Sequence, residues 1–259
     1  MHMFRRFPVR VGELSYQNTV PFRLDARWNV VPCLSPRLLA RWAEEGRVDA
    51  GVLPVVDAWR LEKDFEPVGR FGIAAKTRAM SVLLFSRLPW DELNGRPIGV
   101  TDQTSTSAQL LRVLLTQRDE LRADLRPGFD ATDDARLVIG DAALIPEPGF
   151  LRDFPHVYDL AEEWRRWQET PFVFARWMIR RDTSAYWKGM LNEALEGAVD
   201  HFESDLTNFC RMAARSLRLP LSRMVDYFDG LVFRLTEKEF KGESIFRDLV
   251  SGGRTGVLA

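Results

Sequence analysis

Cysteine and histidine are scarce in this chain of 259 residues, which has two cysteines and three histidines. Cys33 and Cys210 stand far apart without metal-type spacing, so two buried thiols are expected rather than a disulfide or a metal site. His2, His156 and His201 do not cluster in the sequence. This scarcity argues against a histidine-based metal site and against a nucleophile that a histidine activates.

The chain also lacks a net charge of either sign and a long apolar run. Its formal net charge is −1, and its arginines alternate with acidic residues, which is typical of solvated helix faces. Neither nucleic acid nor a membrane surface is therefore indicated as a partner. No apolar run approaches the ~20 residues that span a bilayer. Arg5 and Arg6 are not followed by the apolar segment of a secretory signal, so a cytoplasmic protein is predicted.

Several motifs that carry catalytic chemistry are absent. The sequence contains no GxGxxG, GxSxG or HExxH motif and no Cys/His set with metal-ligand spacing. Nothing in it indicates a nucleotide, a metal ion or a covalent nucleophile. No cofactor is predicted.

The chain does contain an alternation of strand and helix patterns. Apolar runs at 7–12, 28–34 and 48–54 predict strands, and the segments between them predict helices. The second of these helices is predicted to begin at Ser35-Pro36 and to end at Gly46. This β-α-β-α-β order predicts an α/β fold with a parallel sheet.

A second round of the same pattern lies further along the chain. It consists of a strand, a helix, a polar connection and a strand, at Pro97–Val100, Ala108–Arg118, 119–134 and Ala135–Gly140. Because the apolar strands Val82–Ser86 and Val173–Met178 bracket this round, the chain is predicted to cross between two lobes there. The predicted lobes are 1–87 plus 177–259, whose last part is helical, and 88–176.

Polar side chains lie at the ends of several predicted strands. Ser15–Thr19, Thr101–Ser107 and Gly140-Asp141 follow strands, and Ser81 stands at the start of one. Open α/β sheets bind ligands at the carboxyl ends of their strands, and helix N-termini favour anions. The hydroxyl groups of Thr101–Ser107, without a Gly-rich loop or a lysine, suit a carboxylate better than a triphosphate. The alternatives are helix capping, for the turns and for Asp141, and an ordinary strand-end serine for Ser81.

Five segments together resemble one enzyme family: Ser15–Phe22, Met80–Ser86, Thr104–Ser107, Val138–Leu144 and Pro171–Trp177. Their order and spacing, over about residues 9–250, are similar to those of the chorismate dehydratases of the futalosine route to menaquinone. The resemblance implies the two-lobed fold of type II periplasmic binding proteins with a central cleft. It also implies a lyase that dehydrates chorismate to 3-[(1-carboxyvinyl)oxy]benzoate.

The resemblance assigns roles to individual residues. Asn18 and Ser81 match the catalytic positions of the family, and Thr106 and Ser107 match a pair that holds a substrate carboxylate. The expected substrate-binding set is Ser15, Thr19, Thr104, Thr106, Ser107 and Asp141, with the role of Asp141 left open. The family usually carries Trp-Thr-Gly-Leu-Pro-Phe where this chain has Trp167–Phe172, so the local turn is an open point.

Two other functions are consistent with the same pattern. One is a binding protein that captures a carboxylate without reacting with it. The other is the sister enzyme of the pathway, 1,4-dihydroxy-6-naphthoate synthase, which shares the fold. A histidine is expected in the site of that enzyme, and His156 and His201 lie outside the five segments.

Overall fold

The computed structural model describes residues 7–122 and 124–252. The strands in these ranges are β1 (Arg10–Leu14), β2 (Asn29–Cys33), β3 (Ala50–Pro54), β4 (Phe65–Ala75), β5 (Val82–Ser86), β6 (Pro97–Val100), β7 (Asp124–Pro127), β8 (Ala135–Ile139), β9 (His156–Asp159), β10 (Phe172–Arg180) and β11 (Leu231–Arg234). The α-helices are α1 (Pro36–Glu44), α2 (Val55–Arg60), α3 (Thr106–Val113), α4 (Asp141–Leu144), α5 (Phe150–Asp153), α6 (Leu160–Gln168), α7 (Ala185–Ser204), α8 (Leu206–Leu217), α9 (Leu221–Asp229) and α10 (Glu237–Gly252). Within these ranges, every helix is too short or too polar to cross a membrane. The cytoplasmic location stays a prediction.

The chain divides into two compact units. The first unit comprises Met1–Ala74 and Phe174–Leu235, and the second comprises Ala75–Val173 and Thr236–Ala259. The chain therefore passes from one unit to the other within β4, within β10 and after β11.

A six-stranded sheet in the order β11-β4-β10-β3-β1-β2 forms the first unit. β1 pairs in parallel with β2 and β3, as the β-α-β-α-β pattern predicted, and β10 is antiparallel to β3. Helix α1 begins as predicted, because the Ser35 hydroxyl accepts a hydrogen bond from the Leu38 N–H at 3.2 Å. It packs tightly on β1, since a Cβ atom at Gly12 would collide with Leu39.

A five-stranded sheet in the order β7-β6-β8-β5-β9 forms the second unit. β6 is parallel to β7 and β8, whereas β5 is antiparallel to β8 and β9. The core beside this sheet contains Trp164 of α6, Phe172 of β10 and Phe246 of α10, with the Phe172 and Phe246 ring centroids 4.8 Å apart.

The observed units differ from the predicted lobes, 1–87 plus 177–259 and 88–176, in two places. β5 lies in the second unit because it pairs with β8 and β9. The C-terminal helix α10 also lies there, because Phe246 packs on Trp164 and Leu249 accepts a hydrogen bond from Gln117 at 2.9 Å.

The helix predicted after the first strand is a shorter element. Gln17–Phe22 forms a 3₁₀ helix with Pro21 inside it, so a full helix N-terminus does not follow β1. The predicted helix Ala108–Arg118 is present, but it begins at Thr106 and its last turn, Leu114–Arg118, is π-helical.

Candidate functional site

In the first unit, the polar segment Ser15–Thr19 leaves β1 and enters the 3₁₀ helix Gln17–Phe22. The Thr19 hydroxyl is buried and lies 2.7 Å from the carbonyl oxygen of Leu14 and 2.8 Å from that of Tyr16. The Thr19 N–H also donates to the Tyr16 carbonyl, at 3.0 Å. Thr19 therefore closes the turn with its own side chain.

Asn18 lies in this 3₁₀ helix and is half-buried, whereas Ser15 before it is exposed. No side chain caps the 3₁₀ helix, so the predicted capping by a serine or an asparagine is wrong here. The side-chain oxygen Oδ1 of Asn18 is buried and accepts no hydrogen bond within the part of the chain that the structure describes. An unsatisfied buried polar atom costs about 1–3 kcal/mol, so local stability does not explain the placement of this side chain.

Trp177 lines a cavity in the first unit together with Thr19, Phe22 and Glu13. It is 3% exposed and packs edge-on against Phe22, with 5.8 Å between the ring centroids. Its Nε1 atom has no hydrogen-bond acceptor among residues 7–122 and 124–252. Trp177 received no role from the sequence, because an apolar strand gives no sign that one of its residues carries a buried donor.

In the second unit, Ser81 and Gly140 are neighbours at one edge of the sheet. The Gly140 N–H donates to the Ser81 carbonyl oxygen at 2.8 Å, which continues the pairing of Val82 with Ile139. The Ser81 side chain is buried, and its hydroxyl donates to the Ala79 carbonyl oxygen at 3.3 Å. The structure therefore brings together two of the predicted site segments.

The turn Thr101–Ser107 leaves β6 at the same edge. β6 is parallel to β8, and the first N–H of the turn donates to the Leu137 carbonyl at 3.2 Å. Thr104, Thr106 and Ser107 are all buried. The Thr104 hydroxyl accepts a hydrogen bond from the Ser107 N–H at 3.2 Å. The capping alternative is confirmed for Thr104, and it uses one of the amide groups that a bound anion would contact.

Asp141 is the first residue of α4 and is half-buried. Gly140 holds the N-cap position, with φ of +69° and ψ of −151°, a conformation that glycine adopts far more readily than other residues. Asp141 does not hold the cap position that the sequence suggested. Asp141 directly follows Gly140, whose N–H is hydrogen-bonded to Ser81.

Asp159, at the end of β9, connects helix α6 with the turn before β5. Its Oδ1 accepts hydrogen bonds from the N–H groups of Ala79 (3.1 Å), Ala161 (3.0 Å) and Glu162 (3.3 Å), and its Oδ2 accepts one from Met80 (2.7 Å). Burial raises the pKa of the Asp159 carboxyl group above its ordinary value, against the opposing effect of these four donors. Asp159 was not among the residues predicted from the sequence, although an aspartate directly before a helix is a capping signal.

Glu169 forms the turn in the segment that departs from the family pattern. It ends α6 in the left-handed conformation, with φ of +57°, at the position where the family usually carries glycine. The next residue, Thr170, is buried and accepts a hydrogen bond from Trp164 Nε1 at 3.1 Å. The turn is therefore retained with a residue other than glycine, at a cost of about 1–2 kcal/mol.

Cys33 and Cys210 are buried and unpaired, as predicted. Burial raises the pKa of both thiols. Since the thiolate is the reactive form of cysteine, neither side chain is suited to act as a nucleophile at neutral pH. Among the residues that the structure describes, no group of three or more His, Cys, Asp and Glu side chains is placed to hold a metal ion.

Three solved structures illustrate the fold. Protein AF1704 from Archaeoglobus fulgidus matches with a TM-score of 0.72 and 15% identity, over 97% of this chain and 98% of that chain. The periplasmic aliphatic sulphonate binding protein SsuA from Escherichia coli matches with 0.60 and 15%, over 95% and 87%. The Candida albicans CA3427 gene product, whose fold is that of periplasmic binding proteins, matches with 0.64 and 8%, over 97% and 92%. These similarities confirm the predicted α/β fold of the periplasmic-binding-protein type.

A sequence-family model provides the identification at the level of a pathway. The model is described as menaquinone biosynthesis and matches residues 9–251. That range contains all five segments on which the resemblance rests, including Asn18, Ser81 and Asp141. Because the match covers nearly the whole chain, the chain belongs to the VitK2_biosynth family of menaquinone biosynthesis.

Proposed function

We propose that this protein is a chorismate dehydratase, which removes water from chorismate to give 3-[(1-carboxyvinyl)oxy]benzoate on the futalosine route. Family membership supports the pathway. The resemblance of Asn18 and Ser81 to the catalytic positions of chorismate dehydratases supports this reaction. The observation that carries the proposal is the buried side-chain oxygen of Asn18, which accepts no hydrogen bond from the described chain. A substrate that donates to this group would explain why the side chain is held there.

The edge of the second sheet also suits an anionic substrate. Ser81, Thr106 and Ser107 carry hydroxyl groups, and the last two lie in the first turn of α3. N–H groups at a helix N-terminus favour a carboxylate. Chorismate carries two carboxylates, and in this proposal neutral donors bind at least one of them.

The proposed reaction is an elimination. The C–H bond breaks at the ring carbon that bears the enolpyruvyl ether, its electron pair forms a ring double bond, and the C–O bond on the adjacent carbon breaks. The proton passes to the enolpyruvyl carboxylate of the substrate and from there to the departing hydroxide, which leaves as water. Formation of the aromatic ring makes the elimination strongly downhill.

Neither Asn18 nor Ser81 is a base at neutral pH, so each acts by position in this scheme. They hold the enolpyruvyl group within reach of the proton and form hydrogen bonds with the departing hydroxyl group, whose O–H donates to Asn18 Oδ1. Correct positioning can supply about 7–11 kcal/mol of a barrier. The reaction therefore needs no histidine or cofactor in this proposal.

A second candidate is a carboxylate-binding protein without catalysis, which the structural similarity to the sulphonate-binding SsuA supports. The sister enzyme, 1,4-dihydroxy-6-naphthoate synthase, stands as a third candidate, because the family description names the pathway and not one step of it. Both alternatives predict that chorismate is left unchanged.

The deciding experiment incubates the purified protein with chorismate and follows the products by chromatography and mass spectrometry. The expected product is aromatic and lighter than chorismate by one water. A protein-free sample corrects for spontaneous breakdown of chorismate. If chorismate stays unchanged and another carboxylate binds tightly, the dehydratase proposal is wrong and the protein is a carboxylate-binding protein.

A further inference from the structure

The backbone directly before Ser81 adopts a rare conformation. Met80 has φ of +56°, in the left-handed region that residues with a side chain seldom occupy. Because Met80 and Ser81 share a peptide bond, a change at Met80 would redirect the Ser81 side chain. The conformation of Met80 therefore needs an external constraint.

Asp159, at the end of the neighbouring strand β9, provides that constraint. Its two oxygens accept the consecutive N–H groups of Ala79 and Met80, at 3.1 and 2.7 Å. The side chain is 4% exposed, so these charge-assisted bonds are shielded from water. A second tie, the ion pair of Arg78 with Glu162 at 3.7 Å, is long and partly exposed, and such pairs contribute little.

We propose that Asp159 is a positioning residue for Ser81: by fixing the Ala79–Met80 turn, its carboxylate directs the Ser81 hydroxyl towards the substrate. The inference rests on the proposed function, in which Ser81 contacts the substrate. Asp159 itself does not contact the reacting atoms in this scheme. It links helix α6, which it caps, to the residue before the catalytic serine.

Asp159→Asn separates the two roles of this side chain, which are to cap α6 and to hold the Met80 N–H. An asparagine oxygen at the position of Oδ1 still accepts from Ala161 and Glu162, and asparagine caps helices as well as aspartate does. Its NH₂ group, at the position of Oδ2, cannot accept from the Met80 N–H. The variant therefore keeps the cap of α6 and loses the bond that holds Met80.

The matched control is Ser86→Ala. Ser86 is the last residue of β5, the strand that begins directly after Ser81. Ser86 is buried, and its hydroxyl donates to the Leu88 carbonyl at 2.7 Å. Loss of this hydrogen bond destabilises β5 but leaves the Ala79–Met80 turn before Ser81 unchanged. In chorismate turnover, D159N is expected to lower kcat by about 10- to 100-fold with little change in KM, since a misplacement of 1 Å can cost about 100-fold. S86A is expected to keep the wild-type kcat.

A double-mutant cycle with Ser81→Ala tests whether Asp159 acts through Ser81. In the S81A background, D159N is expected to leave kcat unchanged within about threefold, whereas independent roles would multiply the two losses. Asp159→Ser, which also keeps a side-chain cap for α6, is the second variant if D159N does not fold, and the same pattern is expected of it. If the wild type is active and D159N is equally active, the inference is wrong and the proposed function stands. The same holds if the kcat losses of S81A and D159N multiply in the double variant. An inert wild type overturns the proposed function and the inference with it.

Discussion

The Gly140 N–H donates a hydrogen bond of 2.8 Å to the Ser81 carbonyl oxygen. This bond ties the end of β8 to the start of β5, and Asp141 directly follows the residue that is bonded to the predicted catalytic serine. Gly140, with φ of +69° and ψ of −151°, then turns the chain from β8 into α4. The backbone conformation of Gly140 is therefore part of the candidate site.

Gly140→Ala is expected to lower the free energy of unfolding by about 1–3 kcal/mol, because a residue with a Cβ atom is strained in this region. The control is Gly197→Ala in α7, where an added Cβ meets no atom within 4 Å. That change should raise the stability by about 0.5–1 kcal/mol. Denaturant unfolding of both variants checks the pair, and equal effects would contradict the strain at Gly140.

Asn18→Ala is expected to separate activity from stability. It removes a buried oxygen that accepts no hydrogen bond in the described chain, so the melting temperature should stay unchanged or rise. The kcat for chorismate should fall about 10²- to 10³-fold, the size of loss that removal of one positioned hydrogen-bonding group can cause. Steady-state kinetics and thermal melting of the same preparation provide the test.

Ser81→Ala should give a similar fall in kcat, of about 10²- to 10³-fold. Its stability loss should stay near 1 kcal/mol, since the Ser81 hydroxyl makes a long hydrogen bond of 3.3 Å to Ala79. Full activity of both the Asn18 and the Ser81 variant would refute the catalytic assignment.

Glu169→Gly should stabilise the protein by about 1 kcal/mol, because glycine adopts the left-handed conformation without a steric penalty. For a chain of this size that corresponds to a rise in melting temperature of about 2–4 °C. The hydrogen bond between Trp164 and Thr170 is next to this turn and should persist. A lower melting temperature would show that the Glu169 side chain stabilises the fold by more than its left-handed backbone conformation costs.

The two thiols provide a prediction on pH dependence. Burial raises the pKa of Cys33 and Cys210, so the folded protein holds these protons to a higher pH than the unfolded chain does. The stability contribution of the thiols is therefore present below the ordinary thiol pKa of about 8.5 and is lost as the pH rises further. Iodoacetamide at mildly alkaline pH should leave both thiols unmodified in the folded protein and should modify both in denaturant. Rapid modification of either native thiol would contradict this.

The sequence predicted the interior of the fold better than its margins. The parallel strands β1 and β3 and the Ser35 start of α1 could be predicted, because buried apolar runs and a cap signal mark them. The edge strand β2 could also be predicted, because its Val30 and Val31 are apolar although they are only half-buried. The strands β7, β9 and β11 could not: each has four residues, and each lies at the edge of its sheet. Four residues are the shortest run over which a strand pattern can be recognised, so these short strands give a weak signal.

The same contrast holds for the candidate site. The hydroxyl-rich turn and the Gly140-Asp141 segment could be predicted from their place after strands. The four hydrogen bonds to Asp159 could not, because two of their donors, Ala79 and Met80, lie some 80 residues away along the chain. Backbone donors also carry no sign in the sequence of which distant carboxylate they will meet.

The position of β10 between β3 and β4 affects how the protein is made. When β3 emerges from the ribosome, the strand that will flank it lies roughly 120 residues downstream, from Pro54 to Phe172. At about 5–20 residues per second, the nascent chain waits about 6–24 s before that strand exists. The sheet of the second unit is encoded almost without interruption between these points. Ribosomal synthesis therefore favours completion of the later-encoded sheet before the earlier one.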